Sequence, residues 1–158
     1  MSMADEPEPD DAGLIVYVDH SDIHDGCVEE LKEGIRRLVG FIDELEPQLI
    51  AYGFHLDEQG GRLTVTVVHP DSASLEFHLE VGGEHFRKLA DLLTLREIEV
   101  YGSVTTRARE LLEQKAAMLG GSSVRVVERF AGFARLLVPD VAFRGTSTRV
   151  SSAESARR

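Results

Sequence analysis

Three observations predict an α+β domain. β-rich runs and helical periodicities succeed one another in the order β-α-β-β-α-β, and one further helix and strand follow. A single cysteine, Cys27, rules out an internal disulfide, so packing alone must hold the fold. A chain of 158 residues has room for one domain with a real core and hardly two.

The first element is LIVYVD, residues 14–19, a continuous β-branched and aromatic run that reads as a strand buried on both faces. From Val28 the apolar residues fall at 28, 31, 35, 38, 42 and 45. That spacing predicts a helix with one buried stripe, Glu29, Lys32, Glu33, Arg36 and Arg37 facing water. Asp25 is placed to cap its start, and Pro47 marks its end. QLIAYGFHLD and RLTVTVVH, joined through Glu58, Gln59, Gly60 and Gly61, predict a hairpin. Ile50, Tyr52, Phe54 and Leu56 share one face of its first arm, opposite Ala51, Gly53 and His55. Pro70 and Asp71 then open a short helix through Leu79, which Gly82 and Gly83 interrupt before a second helical piece running to about Leu93. LREIEVYG is the fourth strand. A helix over about 105–119, ended by Gly120 and Gly121, precedes a last strand through SVRVVERF and on to Leu137.

This order is the ferredoxin-like split arrangement, an antiparallel sheet with helices on one face only. The bare face needs a cover, and two such sheets packed face to face supply one, so a homodimer is expected. The helix-strand extension either adds an edge strand or crosses to the partner subunit. The domain is expected over residues 13–138, with its core at 14–102 and the extension at 103–138. Residues 1–12, rich in Pro, Asp and Glu, and residues 139–158, rich in Ser, Thr, Ala and Arg, are expected to be disordered tails.

A net charge of −11 would repel a phosphate backbone, so nucleic acid is not an expected partner. No apolar run approaches the ~18 residues a membrane span requires, so no membrane association is expected. The acidic N-terminus lacks the basic and apolar pattern of a signal peptide, which leaves the cytoplasm as the expected compartment.

Chemistry concentrates in HPDSASLEFHLEVGGEHF, residues 69–86, which holds His69, His78 and His85 of the six histidines. His78 borders the apolar stripe of its helix, where a histidine serves either as a base or as a hydrogen-bonded packing residue. His69 ends a strand before a helix cap, a position from which side chains enter pockets. His85 is expected to brace the second helical piece. A second cluster, DHSDIHDG at residues 19–26, has two histidines and three aspartates that could ligate a divalent metal, but its composition is also that of a turn and cap, and no metal is expected. Cys27 in the first helical turn reads as a small buried side chain. The Gly-Gly pairs lack the spacing of a phosphate loop, and Glu97 and Glu99 alternate with Ile98 and Val100 as the wet face of a strand.

The strand order, the Asp25-Gly26 pair and above all HPDSASLEFHLEVGGEHFRKL resemble the antibiotic biosynthesis monooxygenase family and its quinol monooxygenase relatives, which share the dimeric α+β barrel. His78, His85 and Phe86 match the family pattern of an apolar-x-x-His-Leu piece followed by His-Phe, while Val81-Gly82-Gly83 lengthens the break between them. The likeness covers about residues 14–102. It implies an oxygenase without metal, flavin or other cofactor, taking a small aromatic substrate between helices and sheet and oxidising a quinol or polyphenol with O2. An ionised hydroquinol passes an electron to O2 directly, so the protein need only deprotonate it in a dry pocket. On that reading His78 is the base, and His69, Tyr17, Asp19 and Tyr52 bind and orient the substrate. A sister branch of the barrel degrades haem through an Asn, a Trp and a His. Asp19, His69 and Ala90 stand at those places, and the chain has no Asn or Trp at all, which argues against that chemistry. The rival reading is a non-catalytic module of the same fold, either a small-ligand binder or a dimeric assembly or regulatory protein.

Overall fold

The computed structural model describes residues 13–121 and 123–135. The two tails expected to be disordered lie outside the described residues. Eight elements follow one another: β1 (Ile15–Ile23), α1 (Val28–Leu45), β2 (Ala51–Asp57), β3 (Arg62–His69), α2 (Ser72–Leu89), β4 (Leu93–Tyr101), α3 (Thr106–Met118) and β5 (Ser123–Val127). They form one sheet in the order β2-β3-β1-β4-β5. The first four strands make the antiparallel ferredoxin-like sheet, and β5 adds an edge strand parallel to β4. The extension therefore completes its own sheet in this chain. The regular strand stops at Val127, short of the expected continuation, whose end at Leu137 lies outside the described residues.

β1 departs from expectation. Its side chains alternate buried and half-buried, with Ile15, Tyr17, Asp19, Ser21 and Ile23 inward and Val16, Val18 and His20 on the other face. The helices cover one face of the sheet, so a central strand buries one row rather than two. The other face, which no helix among the described residues covers, carries Val16, Val18, Thr64, Thr66 and Val68 at its centre, rimmed by His20, His55, Glu97, Glu99 and Tyr101.

α1 buries Leu31, Ile35, Leu38 and Ile42 as its periodicity requires. Asp25 does not cap it. Gly26, at φ +76, turns the chain so that the helix starts from Cys27, which is half-buried and makes no side-chain cap bond. Asp71 does cap α2, accepting from the backbone N–H of Ser74 at 2.8 Å.

The break expected at Gly82 and Gly83 is absent, and α2 runs through both glycines. Gly82 is there for packing: the Phe86 ring lies over it, and a Cβ at this position would stand 2.3 Å from the ring edge. Gly83 faces open space. The helix thus keeps one glycine for a contact and another that nothing requires. The two positions should respond in opposite directions. Gly82→Ala overpacks the core and is expected to destabilise by about 1–3 kcal/mol, lowering Tm by roughly 2–10 °C. Gly83→Ala gains helix propensity and is expected to raise stability by up to ~1 kcal/mol. Thermal and urea unfolding of the two variants checks both signs.

Candidate functional site

Between the helices and the covered sheet face lies a narrow cleft with a volume of about 30 Å³. Its walls are almost entirely apolar, with Leu38, Phe86 and Leu89 from the helices and Phe54, Leu63, Val65, Val67 and Leu95 from the strands. Four polar side chains interrupt them: Asp19 and Ser21 from β1, Tyr52 from β2 and Lys115 from α3. Lys115 Nζ is 2.6 Å from Asp19 Oδ2, and both side chains are buried. Tyr17 donates its hydroxyl to the same Oδ2 at 2.8 Å and accepts from Lys115. The ammonium also sits 4.3 Å from the centre of the Phe86 ring, where the negative face of the π system favours a cation.

A second buried cluster adjoins the first. His78, with no exposed surface, has Nδ1 2.8 Å from Glu46 Oε2, and its ring meets those of Tyr52 and His69, each 5.2 Å away between centroids. His69 Nδ1 lies 2.8 Å from Ser74 Oγ in the first turn of α2. Nε2 of both histidines has no hydrogen-bond partner within the protein, and neither do Asp19 Oδ1 and Glu46 Oε1.

Burial, reinforced by the positive charge of Lys115, lowers the His78 imidazole to about 3, and burial followed by its neighbour His78 lowers His69 to about 3. Both rings are neutral near pH 7. Burial raises the Glu46 carboxyl to about 7, so near neutrality it is poised between its two forms. When ionised it accepts from the Nδ1–H of His78, which leaves Nε2 with the lone pair of a base. Burial and then the charge of Asp19 hold Tyr17 and Tyr52 well above the ordinary phenol value, so both stay protonated.

The residues singled out in the sequence gather in this region but in two tiers. Asp19 and Tyr52 line the cleft. His78, His69 and Tyr17 lie behind its wall, with Tyr52 and Phe86 packed against the His78 ring. Tyr52 also lines an outer groove beside Ile42, Glu46 and Ile50, so its side chain separates cleft from groove. His85 stacks on Phe41 at 3.9 Å, remote from both clusters, and braces α2 on α1. His20 pairs with Glu99, and His24 bonds the Asp91 carbonyl and Thr94, so the two histidines of the β1 loop point to different partners. Among the described residues no group of three or more metal-ligating side chains converges, and no helix is long and apolar enough to cross a membrane.

Glu46 and Lys115 escaped the sequence reading, although the sequence carries a signal for each. Glu46 falls four residues after Ile42 and eight after Leu38, and Lys115 falls three after Leu112 and four after Leu111. Both are charged residues on an apolar stripe, where a charge needs a partner.

No protein-family model matches the chain, and no curated protein matches it. Solved structures match its fold. MupZ from Pseudomonas fluorescens superposes with a TM-score of 0.62 at 20% identity, over 78% of this chain and 95% of that one. A conserved protein from Methanosarcina mazei gives 0.51 at 22% identity, over 58% of this chain and 93% of its own. SnoaB, a cofactor-independent oxygenase from Streptomyces nogalater, gives 0.50 at 17% identity, over 60% and 97%. The ferredoxin-like α+β fold expected from the sequence is therefore the fold of this chain, and SnoaB shares it.

The buried histidines set the acid limb of stability. Each is harder to protonate folded than unfolded, so as pH falls through the ordinary histidine value of 6.5 the unfolded chain takes up protons first, and stability declines until about pH 3. Glu46, raised from 4.5, acts in the opposite sense, its share being lost as pH rises toward 7. Two histidines outweigh one carboxyl below pH 6.5. Urea unfolding between pH 5 and 6.5 should show stability rising with pH in the wild type and a shallower rise in His69→Gln, which keeps a partner for Ser74.

Proposed function

We propose that the protein is a cofactor-independent monooxygenase that oxidises a small quinol or polyphenol with O2. The observation that carries this reading is the buried His78–Glu46 pair beside an apolar cleft: a neutral imidazole, held at Nδ1 by a carboxylate, with Nε2 unpartnered among aromatic rings. The geometry is that of a general base, and for the ring to take a phenolic proton the Glu46 carboxylate has to offset the burial that lowers it to about 3. A quinol seated in the cleft reaches His78 when Tyr52 turns aside, since Tyr52 stands between the cleft and the groove floored by Glu46. Deprotonation by Nε2 raises the electron density of the ring, which reduces O2 directly. One oxygen atom enters the ring, the other leaves as water, and the four electrons needed come from the substrate, which becomes a hydroxyquinone. No external reductant enters the balance. The apolar walls keep water from the oxygen intermediates. SnoaB, with the same fold, is described as a cofactor-independent oxygenase, which supports the reading without deciding substrate or activity.

A second reading, a binding module without turnover, is favoured by one fact: His78 and His69 have no exposed surface, and neither reaches the cleft wall. Oxygen uptake separates the two. With metal-stripped protein and a panel of reduced quinols and polyphenols, uptake above autoxidation is expected, and His78→Ala should lower it by about 100-fold or more. Uptake at background across the panel would sink the oxygenase reading in favour of the binder.

The uncovered sheet face supports a homodimer. Its centre of Val16, Val18, Thr64, Thr66 and Val68 is half-buried and apolar enough to pair with a second copy. Sedimentation should give twice the 17.4 kDa of the chain, and Val18→Lys should shift it to the monomer; a wild-type monomer at micromolar concentration would refute the pairing.

A further inference from the structure

Asp19 and Lys115 make a buried ion pair on the wall of an otherwise apolar cleft, and neither side chain has used all its hydrogen-bonding capacity. The carboxylate spends Oδ2 on Tyr17 and Lys115, while its Oδ1, on a residue 5% exposed, has no partner among the described residues. An ammonium has three N–H donors; two go to Asp19 and Tyr17, and the third has only the weak acceptor of the Phe86 ring face, whose centre is 4.3 Å from Nζ. An acceptor without a partner and a donor held only by a ring thus sit on neighbouring residues of the cleft wall. A pair kept only to tie α3 to β1 would gain nothing from facing a cavity, because an unsatisfied carboxylate oxygen away from water is costly.

We propose that this pair is a recognition subsite for the acidic hydroxyl of a phenol. The hydroxyl donates to Asp19 Oδ1, its oxygen accepts from Lys115, and the ring lies against Phe86, Val65 and Leu95. When the proton passes along that hydrogen bond to Asp19 Oδ1, the carboxylate becomes neutral and the phenolate oxygen stays on the ammonium. A neutral alcohol gains less from it, since its oxygen develops no charge. The cleft as it stands has a volume of about 30 Å³, room for a water or two, so a compact aromatic molecule enters it only as the half-buried Tyr52 and Phe54 on its wall turn outward. The inference rests on the reading that the cleft takes a small aromatic molecule, and not on that molecule being oxidised.

The test uses two probes that O2 does not attack readily, 4-nitrophenol and nitrobenzene, which differ by the hydroxyl alone. The full-length protein should bind nitrophenol at least about tenfold more tightly, the gain expected of hydrogen bonds to charged groups. The bound probe should show the phenolate band at a pH below that at which free nitrophenol ionises. The Asp19→Asn/Lys115→Met double variant removes both charges together and leaves no lone buried charge. It should lose the preference and the spectral shift while still binding nitrobenzene. Equal affinity of the wild type for the two probes overturns the subsite, as does failure to bind nitrophenol or an unchanged preference in the double variant. The comparison of probes needs no variant, so it stands even if the double variant fails to fold. Oxygen uptake with quinols is read separately: uptake without nitrophenol preference would defeat the subsite and spare the oxygenase, and preference without uptake would do the reverse.

Discussion

The Lys115 ammonium against the Asp19 carboxylate is the interaction on which the rest of the structure turns. Asp19 lies on β1, the central strand, and Lys115 on α3, outside the four-stranded core, so the pair fastens the extension to the middle of the sheet. Neither charge would stay buried alone. Taking them from water costs several kcal/mol per ion, and removing one partner of such a pair typically costs ~3–5 kcal/mol. The Tyr17 hydroxyl and the face of Phe86 complete the solvation, and Phe86 can lie there because Gly82 has no side chain. A glycine in the middle of a helix, a ring and an ion pair thus form one packing unit.

Burial is what keeps the two histidines neutral, and the same ammonium adds to it, as the next cause after burial for His78 and a minor one for His69. A protonated imidazole there would lose its hydration and meet a like charge. Glu46 answers from the other side, placing a carboxyl on Nδ1 of His78. One cluster carries the charge while the other, buried beside it, stays neutral.

Much of the fold was legible because its signals are local. The stripe of α1, the hairpin glycines, the Asp71 cap and the β-rich runs each act within a few residues, and α1, the hairpin, the start of α2 and the four core strands formed where they indicate. The Asp25 cap failed locally, because Gly26 turns the chain before the helix starts. Two other errors needed knowledge of what lies across the chain. Gly82 and Gly83 look like a break until the Phe86 ring is placed over Gly82. β1 looks doubly buried until the helices are known to cover one face. Of the site, Asp19, Tyr52, His69, Tyr17 and His78 were legible as one region, since their strands and helix adjoin in the ferredoxin-like order. Their division into a cleft wall and a tier behind it was not, because side-chain depth depends on Tyr52 and Phe86. Glu46 and Lys115 required asking why a charge occupies an apolar stripe.

The helix beyond the four-stranded core adds a charge to the cleft. The solved structures from Methanosarcina mazei and Streptomyces nogalater are matched over nearly their full lengths by about three fifths of this chain, and MupZ over 95% of its length by 78% of it. In this chain α3 brings the Lys115 cation to the cleft wall. An unassisted base in a dry pocket works against itself, since the anion it generates is poorly solvated and the proton tends to return. A cation held in place before the reaction removes that penalty without reorganisation. On the proposed reading it also favours the next step, because electron transfer from a phenolate to O2 would create superoxide, whose negative charge the ammonium would again stabilise. Asp19 keeps the cation buried in place, and Oδ1 is the acceptor that the proposed subsite offers a hydroxyl. In that reading base, cation and counter-ion form one set, and α3 supplies the cation.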